Sequence, residues 1–299
     1  MAMTQAPRSS PLRGILLMMG ALALFALLDT LSKGLTASHP VPVIVWGRYA
    51  VHFLITLLVF MPRHGLGLFR SHRPGLQVLR GLMLVMTTAL VVLSFRQLPV
   101  AEVTALIFVT PLLVTVLAVK FLGERMLPLQ WLAIGVGFCG VLLIVRPSGA
   151  LMGSGALLVL AAAGCYSVYQ VLTRKLSAGD HSATQLLYTA LVGTVAMSIV
   201  LPWHGLPVSL GLLDALQIGS LGLIAAVSHL LLIMAFRAAP ATTLSPFSYA
   251  QLAWATLFGW IAFGDLPDGA SSAGMGIIAA SGLGVAYLER RKREESVRE

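Results

Sequence analysis

The chain has 299 residues, 58% of them hydrophobic and only 10% charged, with a mean hydropathy of +0.90 and a formal net charge of +9. So little polar surface excludes a soluble globule, and the apolar runs approach the roughly 20 residues that a bilayer-spanning helix needs. The positive balance does not point to nucleic acid, because the cations sit in short connections and in the tail ERRKRE, not interleaved with aromatics on a soluble face.

In chain order the hydropathy pattern predicts ten spans: 12–33, 41–61, 76–95, 100–120, 128–146, 153–174, 182–202, 214–236, 240–263 and 271–289. In the first, Arg8 and Arg13 precede an apolar stretch as in a signal peptide. Its apolar stretch is longer than an h-region and has no convincing small-residue cleavage site, so it is expected to stay as the first helix. The connections are a few residues long and the longest, 62–75, is basic, so the expected organisation is a single transmembrane domain over 1–299. Cys139 and Cys165 fall inside spans and have no ligand set around them, so neither a disulfide nor a metal is expected.

Loops assigned alternately put Arg63, Arg70, Arg73, Arg80, Lys120, Arg125, Arg174, Lys175, Arg237 and the basic tail on the side of both termini. The other side holds Lys33, Arg96 and Arg146. The positive-inside rule then predicts a multi-pass protein of a bacterial inner membrane with both termini cytoplasmic.

A fixed shift of 141 residues superimposes 151–291 on 10–150 without a gap. It pairs Gly14 with Gly155, Gly81 with Gly222, Phe95-Arg96 with Phe236-Arg237, Pro99 with Pro240, and Gly123-Glu124 with Gly264-Asp265. Each half carries five spans, an odd number, so equivalent positions lie on opposite faces of the bilayer. The fold class expected is an all-α polytopic membrane protein: ten transmembrane helices in two inverted five-helix repeats, which is an architecture of alternating-access carriers.

The stretches FRQLPVAEVTALIFVTPLLVTVLAVKFLGERMLPLQWLAIGVGFCGVLLI (95–144) and FRAAPATTLSPFSYAQLAWATLFGWIAFGDLP (236–267) resemble the two EamA repeats of the drug/metabolite transporter (DMT) superfamily. The shared marks are a small-residue, Pro-containing loop after helices 3 and 8, a mid-helix Pro, an acid after Gly closing helices 4 and 9, and a Gly-rich helix 5. Asp265 stands where the first repeat has Glu124. Within the family the chain is similar to YddG-type exporters, and that resemblance implies efflux of aromatic and other neutral amino acids. Relatives with a helix 9 of this kind also include carriers of S-adenosylmethionine, so uptake or exchange of that or another metabolite is the alternative the resemblance leaves.

The residues offer their own candidates for a substrate site. Tyr166, Tyr169, Gln170 and Thr173 form one stripe of helix 6, and the shift relates them to Phe25, Leu28, Asp29 and Ser32 of helix 1. Polar groups on such a stripe are expected to face protein or a water-filled space. Two readings stand side by side: Phe25, Asp29, Tyr166, Tyr169 and Gln170 line a substrate path, or the tyrosines are interfacial and Gln170 joins helices. In helix 9, Ser245 and Tyr249 share a face near Pro246, which removes a backbone donor, and Trp254 is bulky enough to close the space below. Plain packing explains these equally well.

Arg48 lies about two turns into helix 2, with His52 four residues on. Its guanidinium suits a substrate carboxylate, and it suits equally a staple to helix carbonyls or to Glu102, the reading favoured here. Asp29 and Lys33, at i and i+4, are placed to neutralise each other, as an outer gate or a solvated end. Glu102 opens helix 4, where the helix dipole favours an acid, and is otherwise a proton-coupling candidate. His52 and His229 are read as separate packing residues. No carboxylate near mid-membrane is expected to lack a partner, so facilitated flux is favoured over proton antiport. There is no P-loop, no paired Asp set for a metal diphosphate and no zinc-protease spacing, so neither an enzyme nor a cofactor is expected. The expected partners are a small-molecule substrate and the lipid bilayer, with no obligate protein partner. A membrane enzyme or a receptor remains as a reading of another class.

Overall fold

A computed structural model describes residues 11–110, 113–114, 116–117, 128–145, 154–176, 179–204, 211–238, 247 and 250–298. Within them the chain forms ten α-helices: α1 (Pro11–Leu35), α2 (Val41–His64), α3 (Pro74–Ser94), α4 (Val100–Ile107), α5 (Pro128–Val145), α6 (Ser154–Leu176), α7 (Ser182–Val200), α8 (Leu212–Ala238), α9 (Ala250–Phe263) and α10 (Gly269–Arg298). No strand occurs among the described residues. Helices are what hydrocarbon demands, because each satisfies its own backbone polar groups. Six of them, α1, α2, α3, α6, α7 and α8, are long and apolar enough by themselves to cross a bilayer. Leu58, Met86, Leu142, Leu157, Ile199 and Ile261 project outward from the bundle, where lipid tails would meet them.

Helix boundaries follow local chemistry. Pro11, Pro74 and Pro128 stand first in their helices, where the missing N–H has no partner to lose. α9 ends at Gly264, whose φ of 72° lies in the left-handed region and whose N–H bonds the Trp260 carbonyl at 2.9 Å. The expected continuous helix 100–120 is instead interrupted: α4 stops at Ile107 and Phe108–Val109 form a turn. The Phe108 N–H bonds both the Thr104 and Ala105 carbonyls, and Val109 bonds Leu106, so the last turn tightens. Pro111 has no N–H to offer Ile107, which is the physical reason for a break there.

The helices pair as a two-fold would require. By the shift α1, α2, α3 and α5 correspond to α6, α7, α8 and α10; α1 packs on α8, and α6 packs on α3. Likewise α2 packs on α8 and α7 on α3, while α2–α7 and α5–α10 are pairs the two-fold maps onto themselves. Side chains repeat the relation. A Cβ on Gly81 would meet Val192 Cβ at 2.7 Å, and one on Gly222 would collide with Val51, the positions that the 141-residue shift interchanges. α5 and α10 cross most closely at Gly140 and Gly274. A Cβ on either would come within 2.8 Å of the other's carbonyl oxygen, a small-residue contact of the kind membrane helices use in place of hydrophobic drive.

Candidate functional site

The polar stripes lie on α1, which packs on α8 and α9, and on α6, which packs on α3 and α4. On α6, one turn apart, Tyr166 and Tyr169 stack with ring centroids 5.6 Å apart and planes 9° from parallel. On α1, Phe25 sets its edge against the imidazole of His229 in α8, 5.0 Å between centroids and 74° between planes. Phe25, Asp29, Arg48, Tyr166, Tyr169 and Gln170 are all half-buried, where their closed-over helix neighbours Ala26, Leu28, Tyr49 and Ser167 are not.

Arg48 is the electrostatic centre of this region. Its charge acts on Asp29 of α1, on Tyr49 and His52 of α2 and on His229 of α8, and Asp29 in turn acts on the Tyr166 hydroxyl. Yet among the described residues neither the Asp29 carboxylate nor the Arg48 guanidinium makes a hydrogen bond or an ion pair. This corrects two expectations. Arg48 does not staple Glu102, and Asp29 is not neutralised by Lys33. Lys33 reaches across to the Asp265 carboxylate at the end of α9 and lies over the Phe263 ring, 4.5 Å from its centroid. The chain reversal at Gly264 is what carries Asp265 back toward α1. An unpaired carboxylate inside the bundle, which the sequence reading did not expect, is therefore present.

Glu102 is buried in the first turn of α4, and its Oε1 accepts a 3.0 Å hydrogen bond from Ser271 of α10, joining the repeats. Trp254 stacks on Phe258 at 5.8 Å and packs against the apolar cluster of Met18, Leu22 and Ala235. Ser245 and Tyr249 lie outside the described residues.

Three side chains that the sequence reading set aside belong to the region. His52 and His229, read as separate packing residues, stack on each other across the α2–α8 contact, 5.7 Å between centroids and 11° between planes. Arg80, counted only as a loop charge, is 2% exposed. Its Nε donates to Gln77 Oε1 (3.0 Å), Nη1 to Thr173 (3.4 Å), and Nη2 to Thr189 (2.7 Å) and the Gln185 carbonyl. Its guanidinium lies over the Tyr169 ring, 5.3 Å from the centroid, so it fixes the outer face of the tyrosine stack. One signal for Arg80 was available: Gln77 stands three residues before it on the same face of α3.

The model of the EamA-like transporter family matches residues 12–146 and again residues 153–287. The chain is 28% identical over 289 residues to a protein of Rhizobium johnstonii named riboflavin transporter, covering 94% of this chain and 93% of that one. It is 27% identical over 240 residues to an S-adenosylmethionine uptake transporter of Rickettsia prowazekii, covering 79% and 80%. A solved crystal structure shares the fold with a TM-score of 0.68 at 20% identity, covering 94% of this chain and all of the other.

Proposed function

Because this chain belongs to the EamA-like transporter family, a multi-pass carrier and not an enzyme, we propose that it moves a small zwitterionic metabolite bearing a flat ring across the bilayer by alternating access. One observation carries the reading: Asp29 and Arg48, opposite charges with no partner among the described residues, stand in one electrostatic neighbourhood beside an aromatic stripe. Charged groups in a membrane interior are costly unless they are used, and a zwitterion completes both. Asp29 would take the substrate's cationic group and Arg48, through its planar fork, the carboxylate. Phe25, Tyr166 and Tyr169 would hold the ring, with Gln170, and Ser245 and Tyr249 of the predicted span 240–263, bonding its polar edge. Trp254 would bound the site below.

The first reading of the substrate is an aromatic or other neutral amino acid, exported from the cytoplasm across a bacterial inner membrane in which both termini are cytoplasmic. The loop charges support the orientation. A second reading, uptake or exchange of S-adenosylmethionine, is favoured by the name of the Rickettsia relative. That compound too joins an amino acid group to a flat heterocycle. The repeats 10–150 and 151–291 would be the units that rock, with Lys33–Asp265 and Glu102–Ser271 as contacts made and broken between them.

The test is counterflow into proteoliposomes with labelled tryptophan, phenylalanine, S-adenosylmethionine and riboflavin, with and without a pH gradient. Flux of at least one zwitterion is expected, falling more than about tenfold in Asp29→Asn and in Arg48→Met, the scale of one lost charge-assisted bond each. Transport of riboflavin, which carries no zwitterion, with none of the other three would sink this reading.

A further inference from the structure

Within the proposed site one group is more exacting than the rest. His52 is 2% exposed, and its Nε2 has no hydrogen-bond partner although no solvent reaches it. An orphaned buried polar atom costs about 1–3 kcal/mol, so a purely packing role would be served better by an apolar ring or by nothing. The other repeat shows that the fold does not require an imidazole there. The shift of 141 residues relates His52 to Gly193 of α7, and His229 to Thr88 of α3. At that related place the Tyr49 ring lies against Gly193 and its hydroxyl bonds Thr88 at 2.9 Å, so every polar atom is satisfied. One interface is closed by a tyrosine with its bond made, while its twin holds two stacked imidazoles with a bond left open.

The face of α2 on which that open bond stands is the face of Arg48. His52 follows Arg48 by four residues, so the two share a face, and the Arg48 charge acts on both imidazoles. A second cation beside an unpaired guanidinium would be repelled, whereas neutral imidazoles can donate to whatever anion the guanidinium takes. His229 is held between the His52 ring and the edge of Phe25 and so fixes the plane in which His52 presents Nε2. We propose that Arg48 and His52, with His229 as the positioning residue, form the subsite for the carboxylate of the substrate. The guanidinium fork takes the oxygens, and the His52 Nε2–H completes the set when α2 and α8 part to admit the ligand. This rests on the zwitterion reading above and assigns its anionic half to named donors.

Matched pairs of probes separate the subsite from the carrier function: labelled L-tryptophan against tryptamine, and S-adenosylmethionine against its decarboxylated form, in counterflow by the full chain. The ratio of uptake of the carboxylate compound to that of its decarboxylated partner is expected to fall about tenfold in His52→Ala, the size of one hydrogen bond to a charged group. In His52→Gln, which keeps a donor, most of the ratio should return. His229→Thr, the residue the other repeat carries, should lower the ratio about threefold, with a smaller change in thermal stability than in ratio, because the bundle already accommodates Thr at the related place. A ratio unchanged in His52→Ala, or equal loss of both members of a pair in His52→Ala and His52→Gln alike, overturns the subsite and leaves the zwitterion reading standing. If the wild-type protein moves none of these four probes and no phenylalanine, both fall together.

Discussion

Where α2 crosses α8, Val51 lies against Gly222, and where α3 crosses α7, Val192 lies against Gly81, the same contact 141 residues along. Around that shared contact the two crossings diverge. The α2–α8 side is apolar and tight, with Ile218 against Gly47 and Leu221 fully buried, until it reaches the His52–His229 stack. At the related place, the α3–α7 side carries Arg80 where α8 has Leu221, wired to Gln77, Gln185 and Thr189 and, through α6, to Thr173 and Tyr169. The repeated feature is the small-residue contact that lets the helices approach, and the unrepeated features are the ionisable ones. Close packing is thus a property of the fold, whereas the charges mark what this carrier does with it.

Exchanging the unrepeated residues is the most drastic way to break the comparison. Leu221→Arg would place a guanidinium where no acceptor set awaits it, at a cost of about 3 kcal/mol for a charge in the membrane interior. Arg80→Leu would strand Gln77 Oε1, which takes its hydrogen bond from Arg80 Nε, at about 1–3 kcal/mol for a buried acceptor left open. Both should lower the Tm of the purified protein in detergent, Leu221→Arg more. If Leu221→Arg folded as well as wild type, the two crossings would not differ in polarity as described.

The shared contact gives the next largest effect. Gly222→Ala sets a methyl against Val51 and 2.9 Å from the Arg48 carbonyl oxygen, which is backbone and cannot rotate away; for Gly81→Ala the three nearest atoms all belong to the Val192 side chain. Both overpack, at about 1–3 kcal/mol, with Gly222→Ala toward the upper end and Gly81→Ala toward the lower. Thermal unfolding of the two single variants reads the order, and the reverse order would mean that the α3–α7 crossing is the tighter one.

The architecture was legible because hydrocarbon makes length and hydropathy decisive, and because an ungapped repeat of five spans has only the inverted solution. That Tyr166 and Tyr169 stand on one face was legible for a similar reason: helical period fixes a face. Period does not say which helix stands opposite. Lys33 was matched to Asp29 one turn away, although its partner is Asp265, 232 residues on, and the distant His52 and His229 were kept apart for want of that knowledge. Arg80 was counted with the loop charges because it stands near the start of a predicted span; its buried acceptors, two of them on α7, place it inside the bundle. The repeat itself held an unused clue, since positions that are ionisable in one half and small in the other are where symmetry is not serving packing alone.

The smallest expected effect concerns the loops that mark the two ends of the same relation. Asp180, after α6, and His39, after α1, are equivalent by the shift, and each docks on the start of a helix in the other repeat. The Asp180 side chain is 1% exposed and accepts from Ser71 Oγ (2.5 Å), Gln77 Nε2 (2.7 Å) and the His72 N–H (2.9 Å), while His39 Nε2 merely lies 3.5 Å from a half-exposed Asp214. Burial alone would raise the Asp180 carboxyl, but these donors outweigh it and hold the group well below its ordinary 3.8. A carboxyl depressed in the folded state stabilises fully above its unfolded value, and the contribution is lost as pH falls through the folded one. Asp180→Asn should therefore lower Tm at pH 7, and its difference from wild type should shrink as the pH drops below about 4. Asp214→Asn should stay within about 0.5 kcal/mol of wild type at pH 7, as exposed polar changes do. Because Gln77 bonds both Asp180 and Arg80, the loss in Asp180→Asn should also be smaller in an Arg80→Leu background, whereas Asp214→Asn should add to that background independently. Full additivity of Asp180→Asn with Arg80→Leu would show that the loop and the buried guanidinium do not act as one network, and the α3–α7 crossing would then be two separate polar contacts.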